Sequence, residues 1–206
     1  MATAVLEAPQ TDAVSPKRWT RQEYYRLIEE GFFDVGPRVE LIDGEIVTMS
    51  PELQPHIQGM IKLRRVLGRL EGEGRHARMM SSISMGPDSS PSEPEPDGSL
   101  FAGNEEAYKS NPTTALLAIE VSDTSLKRDR TAKASLYARA DIPEYWIVDV
   151  LHHTLEVRRD PGLMPGERYG VGYRSLTILR KGEVVRPLAV PNVEIAVSEL
   201  FPRKSD

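Results

Sequence analysis

The residues best able to do chemistry sit in the stretch 115–137. Ala115-Leu116-Leu117-Ala118-Ile119 is an apolar run of strand length that takes on a carboxylate, Glu120, before closing with Val121 and Ser122. A strand apolar on both faces is a buried strand. An ionised carboxylate there is costly unless a metal ion, a lysine or a row of backbone amides compensates it. Lys133 follows on what reads as the next helix. A second acid, Asp97, follows Pro96 and opens a short predicted strand, Gly98 to Phe101, where proline before the first strand residue is permitted. The other Pro-Asp pair, Pro87-Asp88, is followed only by loop residues, which favours Asp97. Hard divalent cations such as Mg²⁺ take oxygen ligands and keep several waters, so two or three carboxylates converging at strand ends suffice to hold one. An ion held there polarises a phosphodiester and acidifies a bound water, and a nearby ammonium stabilises the developing charge or orients that water. This is the chemistry of phosphodiester hydrolysis.

The elements that must position these groups are legible in outline. Thr20 and Glu23 form a capping-box pattern at the start of a helix that ends at Gly31. Val39 to Ile42, Asp43-Gly44 and Glu45 to Met49 read as a hairpin, because Asp-Gly tolerates the positive φ of a two-residue turn. In that register Glu40 shares a face with Ile42 and Val47, as a third carboxylate among apolar neighbours. Its plain alternative is a solvated edge residue. Pro55 to Glu71 has the apolar spacing of a long helix, with His56 near its start as a packed or capping residue. Ala77 to Met85 is a plausible strand, and Gly86 to Pro96 a long Pro-, Ser- and acid-rich loop, functional or mobile by its length. A polar connection through Glu105 and Tyr108 precedes the buried strand. Asp129 to Ala140 is the second long helix, stopped by Pro143, and Glu144 to Val150 is the strongest strand signal in the chain. Leu155 to Arg158 can pair back on it, and residues 169–197 alternate like strands around a Lys181-Gly182 turn. Helix, hairpin, helix, strands, helix, strands makes an α/β protein with a central mixed sheet flanked by helices.

The totals bound the class. At 206 residues, with 39% hydrophobic and 28% charged residues, the chain fits one domain over 18–203 behind a loose tail over 1–17. Without cysteine there are no disulfides or thiolate metal sites. No apolar run approaches membrane-spanning length and the first residues resemble no secretory signal, so the expectation is a cytoplasmic protein with no membrane partner. A net charge of −5 disfavours a surface that coats nucleic acid throughout, but leaves room for a local basic patch.

Glu40 to Ile46, Met49-Ser50-Pro51 with His56, Pro96-Asp97, Ile119-Glu120-Val121-Ser122, Arg128-Asp129-Arg130 with Lys133 and Tyr137, and Ile142 to Asp149 together resemble the Uma-two family. These are restriction-endonuclease-like proteins of the PD-(D/E)XK nuclease superfamily, and the resemblance spans Trp19 to Phe201. It implies a restriction-endonuclease-like core with a mixed sheet of about four to five strands, dependence on Mg²⁺ with Mn²⁺ as a substitute, action on DNA or another nucleic acid, and a homodimer. Carried over by position, Asp97 and Glu120 are catalytic metal ligands, and Glu40 is an additional acid at the mouth of the site and a third metal ligand. Ser122 stands in the slot where the superfamily usually has lysine, two residues after Glu120 and on the same strand face. Lys133 is the candidate for a lysine moved to the following helix. Lys127, Arg128 and Arg130, with Arg139, cluster around that helix as candidate contacts to a nucleic-acid backbone.

Several features carry a second reading. Asp129 and Lys133 are four apart, so a helix salt bridge would account for Lys133 without catalysis. Gly98-Ser99 replaces an apolar pair after the Pro-Asp and would loosen that strand. Asp141 stands where glycine is common, a tolerable residue for positive φ. Glu93 and Glu95 in the long loop would repel a phosphate backbone unless they swing away. The empty lysine slot at Ser122 and the acidic loop favour a rival: a dimer that keeps the nuclease fold as a binding or structural module without turnover.

Overall fold

The computed structural model describes residues 15–107 and 109–202. The expected tail therefore lies outside the described residues as far as residue 14, as do Tyr108 and Arg203. In chain order the elements are α1 (Arg21–Glu29), β1 (Val39–Ile42), β2 (Glu45–Thr48), α2 (Gln54–Leu70), β3 (Arg75–Met79), β4 (Gly98–Ala102) and β5 (Leu117–Ser122). There follow α3 (Leu126–Arg128), a π-helical turn (Asp129–Lys133), α4 (Ala134–Arg139), β6 (Glu144–Asp149), β7 (Thr154–Leu163), β8 (Val171–Arg180), and the short pair β9 (Val184–Val185) and β10 (Ile195–Ala196). A short 3₁₀ turn lies at Glu105–Ala107, and another closes the domain at Val197–Leu200.

The central sheet has the order β3-β4-β5-β6-β7-β8. Only β5 and β6 run parallel; the other neighbours are antiparallel. Six strands exceed the four to five expected, because β7 and β8 extend the sheet as a ten-residue hairpin on each arm. Parallel neighbours need a crossover, and here it is the helical run from α3 to α4. The two sheet faces are covered by different helices. Leu63, Val66, Leu67 and Leu70 of α2 pack on Leu117, Ile119, Trp146 and Val148, whereas Leu136, Tyr137 and Ala138 of α4 pack on Ala118, Tyr145 and Ile147. That double covering is why β5 reads as an unbroken apolar run.

Two glycines set how closely α2 approaches. A Cβ on Gly59 would fall 2.6 Å from Val121 Cγ1 and 2.9 Å from Val150 Cγ1, and one on Gly98 would fall 2.6 Å from Leu67 Cδ1. Gly98 thus does not loosen β4; it lets α2 seat against it. The β1–β2 hairpin has the expected register, with Glu40 opposite Val47 and both turn residues at positive φ, Asp43 at 52° and Gly44 at 74°. Asp141 also takes positive φ, 54°. Strand β3 begins two residues before the expected Ala77 and ends at Met79, since Met80 turns to a φ of 45°. The 86–96 segment is pinned rather than loose: Glu93 bridges to Leu41, Ser92 to Met85, and Gly44 N–H donates to Pro91 O. No helix among the described residues is long and apolar enough to cross a membrane.

Candidate active site

The site forms where β4 stops pairing with β5. The last partners are Gly98 and Ile119. One step further, Asp97 falls opposite Glu120, and paired residues of an antiparallel ladder share a face. Beyond this point the edge of β5 is open, and Val121 has an N–H and a C=O with no strand to take them. An unpaired buried backbone group is expensive. Asp97 Oδ2 accepts the N–H at 2.7 Å, and His56 Nδ1 lies 2.9 Å from the carbonyl oxygen. The late start of β4 thus recruits two side chains to one spot beside Glu120.

Glu40, Glu120 and Lys133 are 1%, 4% and 3% exposed, which rules out the solvated reading of Glu40. Lys133 Nζ donates to Glu120 Oε1 at 2.8 Å and to Glu40 Oε1 at 3.0 Å. Tyr137 hydroxyl adds a third contact, donating to Glu120 Oε1 at 2.6 Å. The helix salt bridge between Asp129 and Lys133 does not form. Asp129 Oδ2 instead accepts from the hydroxyls of Ser122 and Ser125, each at 2.5 Å. The π-turn lies between these anchors, with Ala134 N–H reaching back five residues to Asp129 O. It makes the helix start at Leu126 rather than at Asp129 and buries Asp129 and Lys133 together. Such turns concentrate at functional sites. Ser122, two residues after Glu120, anchors through Asp129 the helix that carries Lys133.

Asp97, Glu120 and His56 line an open cleft together with Arg38, Ser125 and Arg128. Glu40 lies on the other side of Lys133, where a second hollow is walled by Ile42, Val47 and Leu136. Its Oε1 also accepts the Glu95 N–H at 3.0 Å, while Oε2 finds no hydrogen-bond partner among the described residues. The structure brings Glu120 and Lys133 into contact, with Asp97 across the register, but it puts Glu40 behind the lysine rather than at the mouth of the cleft where the sequence reading sets it as a metal ligand. Sequence reasoning missed His56, Tyr137 and Asp129 as parts of the site.

The flanking cations divide. Arg130 is held by Glu156 at 2.5 Å and Arg139 by Asp43 at 3.2 Å. Arg128 lines both hollows, and its buried Nε lacks a partner among the described residues. Lys127 is exposed. Both loop acids that would repel a phosphate are paired with arginines, Glu93 inside the fold and Glu95 at the cleft wall. Glu93 is buried against Arg21, with Tyr25 hydroxyl donating to it at 2.6 Å and Ser84 at 2.8 Å, and Glu95 pairs with Arg38 at 2.9 Å.

Crowding acids in a dry place sets the electrostatics. Burial pushes Asp97 up to about 7, against the pull of the Val121 N–H and Lys133. Burial pushes Glu120 up to about 8, with Asp97, Asp129 and Glu40 adding to the rise and Lys133 opposing it. Burial also pulls the Lys133 amine down, but Glu120 and Glu40 more than offset this and hold it firmly cationic. Tyr137 is pushed well above its ordinary value, first by burial, and so remains a donor. Among the described residues no three His, Asp or Glu side chains gather into a ready-made metal cluster. Mg²⁺ does not require one: it is bound through one or two carboxylates and keeps waters. Two carboxyls held at raised values by burial on one open cleft, Asp97 with only its Oδ2 taking a backbone donor among the described residues, suit such an ion.

Comparison with known proteins gives the same fold. A solved structure from Anabaena variabilis, described as a putative nuclease belonging to DUF820, superposes with a TM-score of 0.57 at 15% identity, covering 83% of this chain and 95% of that one. No curated protein matches the chain. Residues 21–198 match the model of the Uma2 family, described as "Putative restriction endonuclease". The chain belongs to the Uma2 family of restriction-endonuclease-like nucleases.

Proposed function

We propose that the protein is a metal-dependent endonuclease that hydrolyses phosphodiester bonds of DNA, with Asp97, Glu120 and Lys133 at the centre of the reaction. The observation that carries this reading is the buried ammonium of Lys133, bonded to Glu120 while Asp97 stands across the sheet register from the same glutamate. A Mg²⁺ or Mn²⁺ ion held by Asp97 and Glu120 would supply Lewis-acid polarisation of the phosphoryl oxygen and a more acidic bound water. The remaining roles fall to the chain. Tyr137 and Lys133 both hold Glu120 Oε1, and neither bonds its other oxygen. Lys133 is rigid and cationic, and can orient the attacking water or stabilise charge on the phosphoryl oxygens. Glu40 positions Lys133 from behind. Arg128, with Lys127 beyond it and Arg130 more weakly, contacts the phosphate backbone and sets register without reading sequence.

A homodimer and a cytoplasmic setting belong to the same proposal. Family resemblance supports the dimer, and the exposed Leu176 and Ile178 of edge strand β8 are apolar surface that it would cover. The test is cleavage of supercoiled plasmid and of single-stranded DNA with Mg²⁺ or Mn²⁺, comparing the intact protein, Glu120→Ala and added chelator. Nicking that needs both the ion and Glu120 is the expected result. A folded protein that binds no ion and cuts neither substrate would instead be a nuclease-fold binding module.

A further inference from the structure

His56 stands in the cleft with one ring nitrogen committed and the other facing a carboxylate. Nδ1 lies 2.9 Å from Val121 O. A carbonyl oxygen accepts and does not donate, so Nδ1 carries the hydrogen, and in the neutral ring the lone pair is on Nε2. That nitrogen lies 3.6 Å from Asp97 Oδ1, with both side chains nearly buried, 12% and 11% exposed. The separation is too long for a hydrogen bond. It suits two donors to one cation between them. A ring that gives its second N–H to a backbone carbonyl is oriented as metal-binding histidines are. Its placement is built in twice: Val121 O is free to take it because β4 begins only at Gly98, and α2 comes close enough because Gly59, one turn further on, has no side chain.

We propose that His56 is a ligand of the site's divalent cation through Nε2, facing Asp97 across the ion, and that it tilts the site toward first-row transition ions over Mg²⁺. The inference rests on the metal-dependent reading above. An imidazole nitrogen contributes little to Mg²⁺, which prefers oxygen and retains water, and much more to ions further along the first row.

The test uses CoCl₂ and MgCl₂ with the whole protein. His56→Asn places an amide N–H where Nδ1–H was and removes Nε2, so the bond to Val121 can persist; His56→Ala is the companion, and melting in chelator confirms that both fold. By calorimetry, His56→Asn should weaken Co²⁺ by about tenfold or more, on the scale of disturbed metal ligation, while Mg²⁺ shifts by no more than about threefold because water replaces the lost donor. Proton NMR of the Co²⁺-loaded intact protein should show a far-shifted exchangeable imidazole N–H, slow to exchange because Val121 O shields it, and this signal should vanish in His56→Asn. Equal loss of both ions, loss of neither, or no shifted N–H overturns the role of His56 while sparing the carboxylate site. Failure of the intact protein to bind either ion overturns the metal reading as well.

Discussion

Two buried glutamates at opposite ends of the central strands show what burial does and does not signify. Glu144, at the start of β6, is fully buried and fully engaged. Its Oε1 accepts from Trp146 Nε1 at 2.9 Å and from Arg159 at 2.6 and 2.9 Å, and its Oε2 accepts the Leu188 N–H at 2.6 Å. Glu120, near the end of β5, is equally dry, but its bonds converge on one oxygen and it shares the space with Asp97, Glu40 and a single lysine. The first arrangement closes a charge inside the fold; the second sets three carboxyls around one lysine, and two of them are pushed up in response. A buried acid in a strand is therefore weak evidence of function until its oxygens are counted.

The sharpest way to break this comparison is to neutralise each acid in turn. Glu120→Gln should lower plasmid nicking by about a hundredfold to a thousandfold, the scale of losing one preorganised electrostatic group, with stability in urea hardly reduced. Glu144→Ala should do the reverse, costing about 3–5 kcal/mol by stranding Arg159, with nicking per folded molecule unchanged. If Glu144→Ala abolished nicking in a folded protein, the division between the two ends would fail. Lys133→Met comes next. It leaves Glu40 and Glu120 without their cation, and should cost on the order of a hundredfold in rate and lower the urea midpoint.

Gly59→Ala probes the site from the other face of the sheet. Helix propensity favours alanine, but its Cβ would meet Val121 and Val150, so overpacking should cost about 1–3 kcal/mol and dislodge His56 from Val121. Urea unfolding and Co²⁺ calorimetry on this variant read the two effects separately. The pH dependence follows from the raised carboxyls. Asp97 rises from 3.8 to about 7 and Glu120 from 4.5 to about 8, so their contribution to stability in chelator is full below about pH 4 and is lost as the pH climbs through 7 and 8. A bound cation reverses that loss, and the rise in melting temperature on adding Mg²⁺ should be larger at pH 8 than at pH 6. An equal rise at both values would mean that neither carboxyl gives up a proton to the ion. The smallest effect is expected of Arg128→Ala: DNA binding weakened a few-fold across all sequences, with the salt slope reduced by about 1.

The parts of this arrangement that follow local rules were legible in the chain. Period-two alternation and Asp43-Gly44 specify the β1–β2 register, so Glu40 could be set among apolar neighbours, and the apolar run before Glu120 announced a strand covered on both faces. Asp97 could be preferred over Asp88 because residues able to form a strand follow it. His56 was not legible, because its role depends on where β4 begins and on how near α2 comes to Val121, 65 residues away in the chain. Asp129 misled for a related reason. The four-residue spacing to Lys133 suggests a salt bridge only on an uninterrupted α-helix, and nothing in Asp129-Arg130-Thr131-Ala132-Lys133 announces a π-turn. Glu93 and Glu95 look like a solvated acidic loop until Arg21 and Arg38, from distant segments, close on them.

The π-turn also acts as a phase shifter. Upstream of it the helix is tied to β5 through Asp129, Ser122 and Ser125; downstream Tyr137 is tied to Glu120, and Ser135 to Val171 O at 2.6 Å. An α-helix turns about 100° per residue, so removing one residue between these anchors would restore regular winding and swing one set of ties out of register with the other. The extra residue is what allows a single helix to keep both appointments, and a chain shortened there by one would have to choose between holding its strand and presenting its lysine.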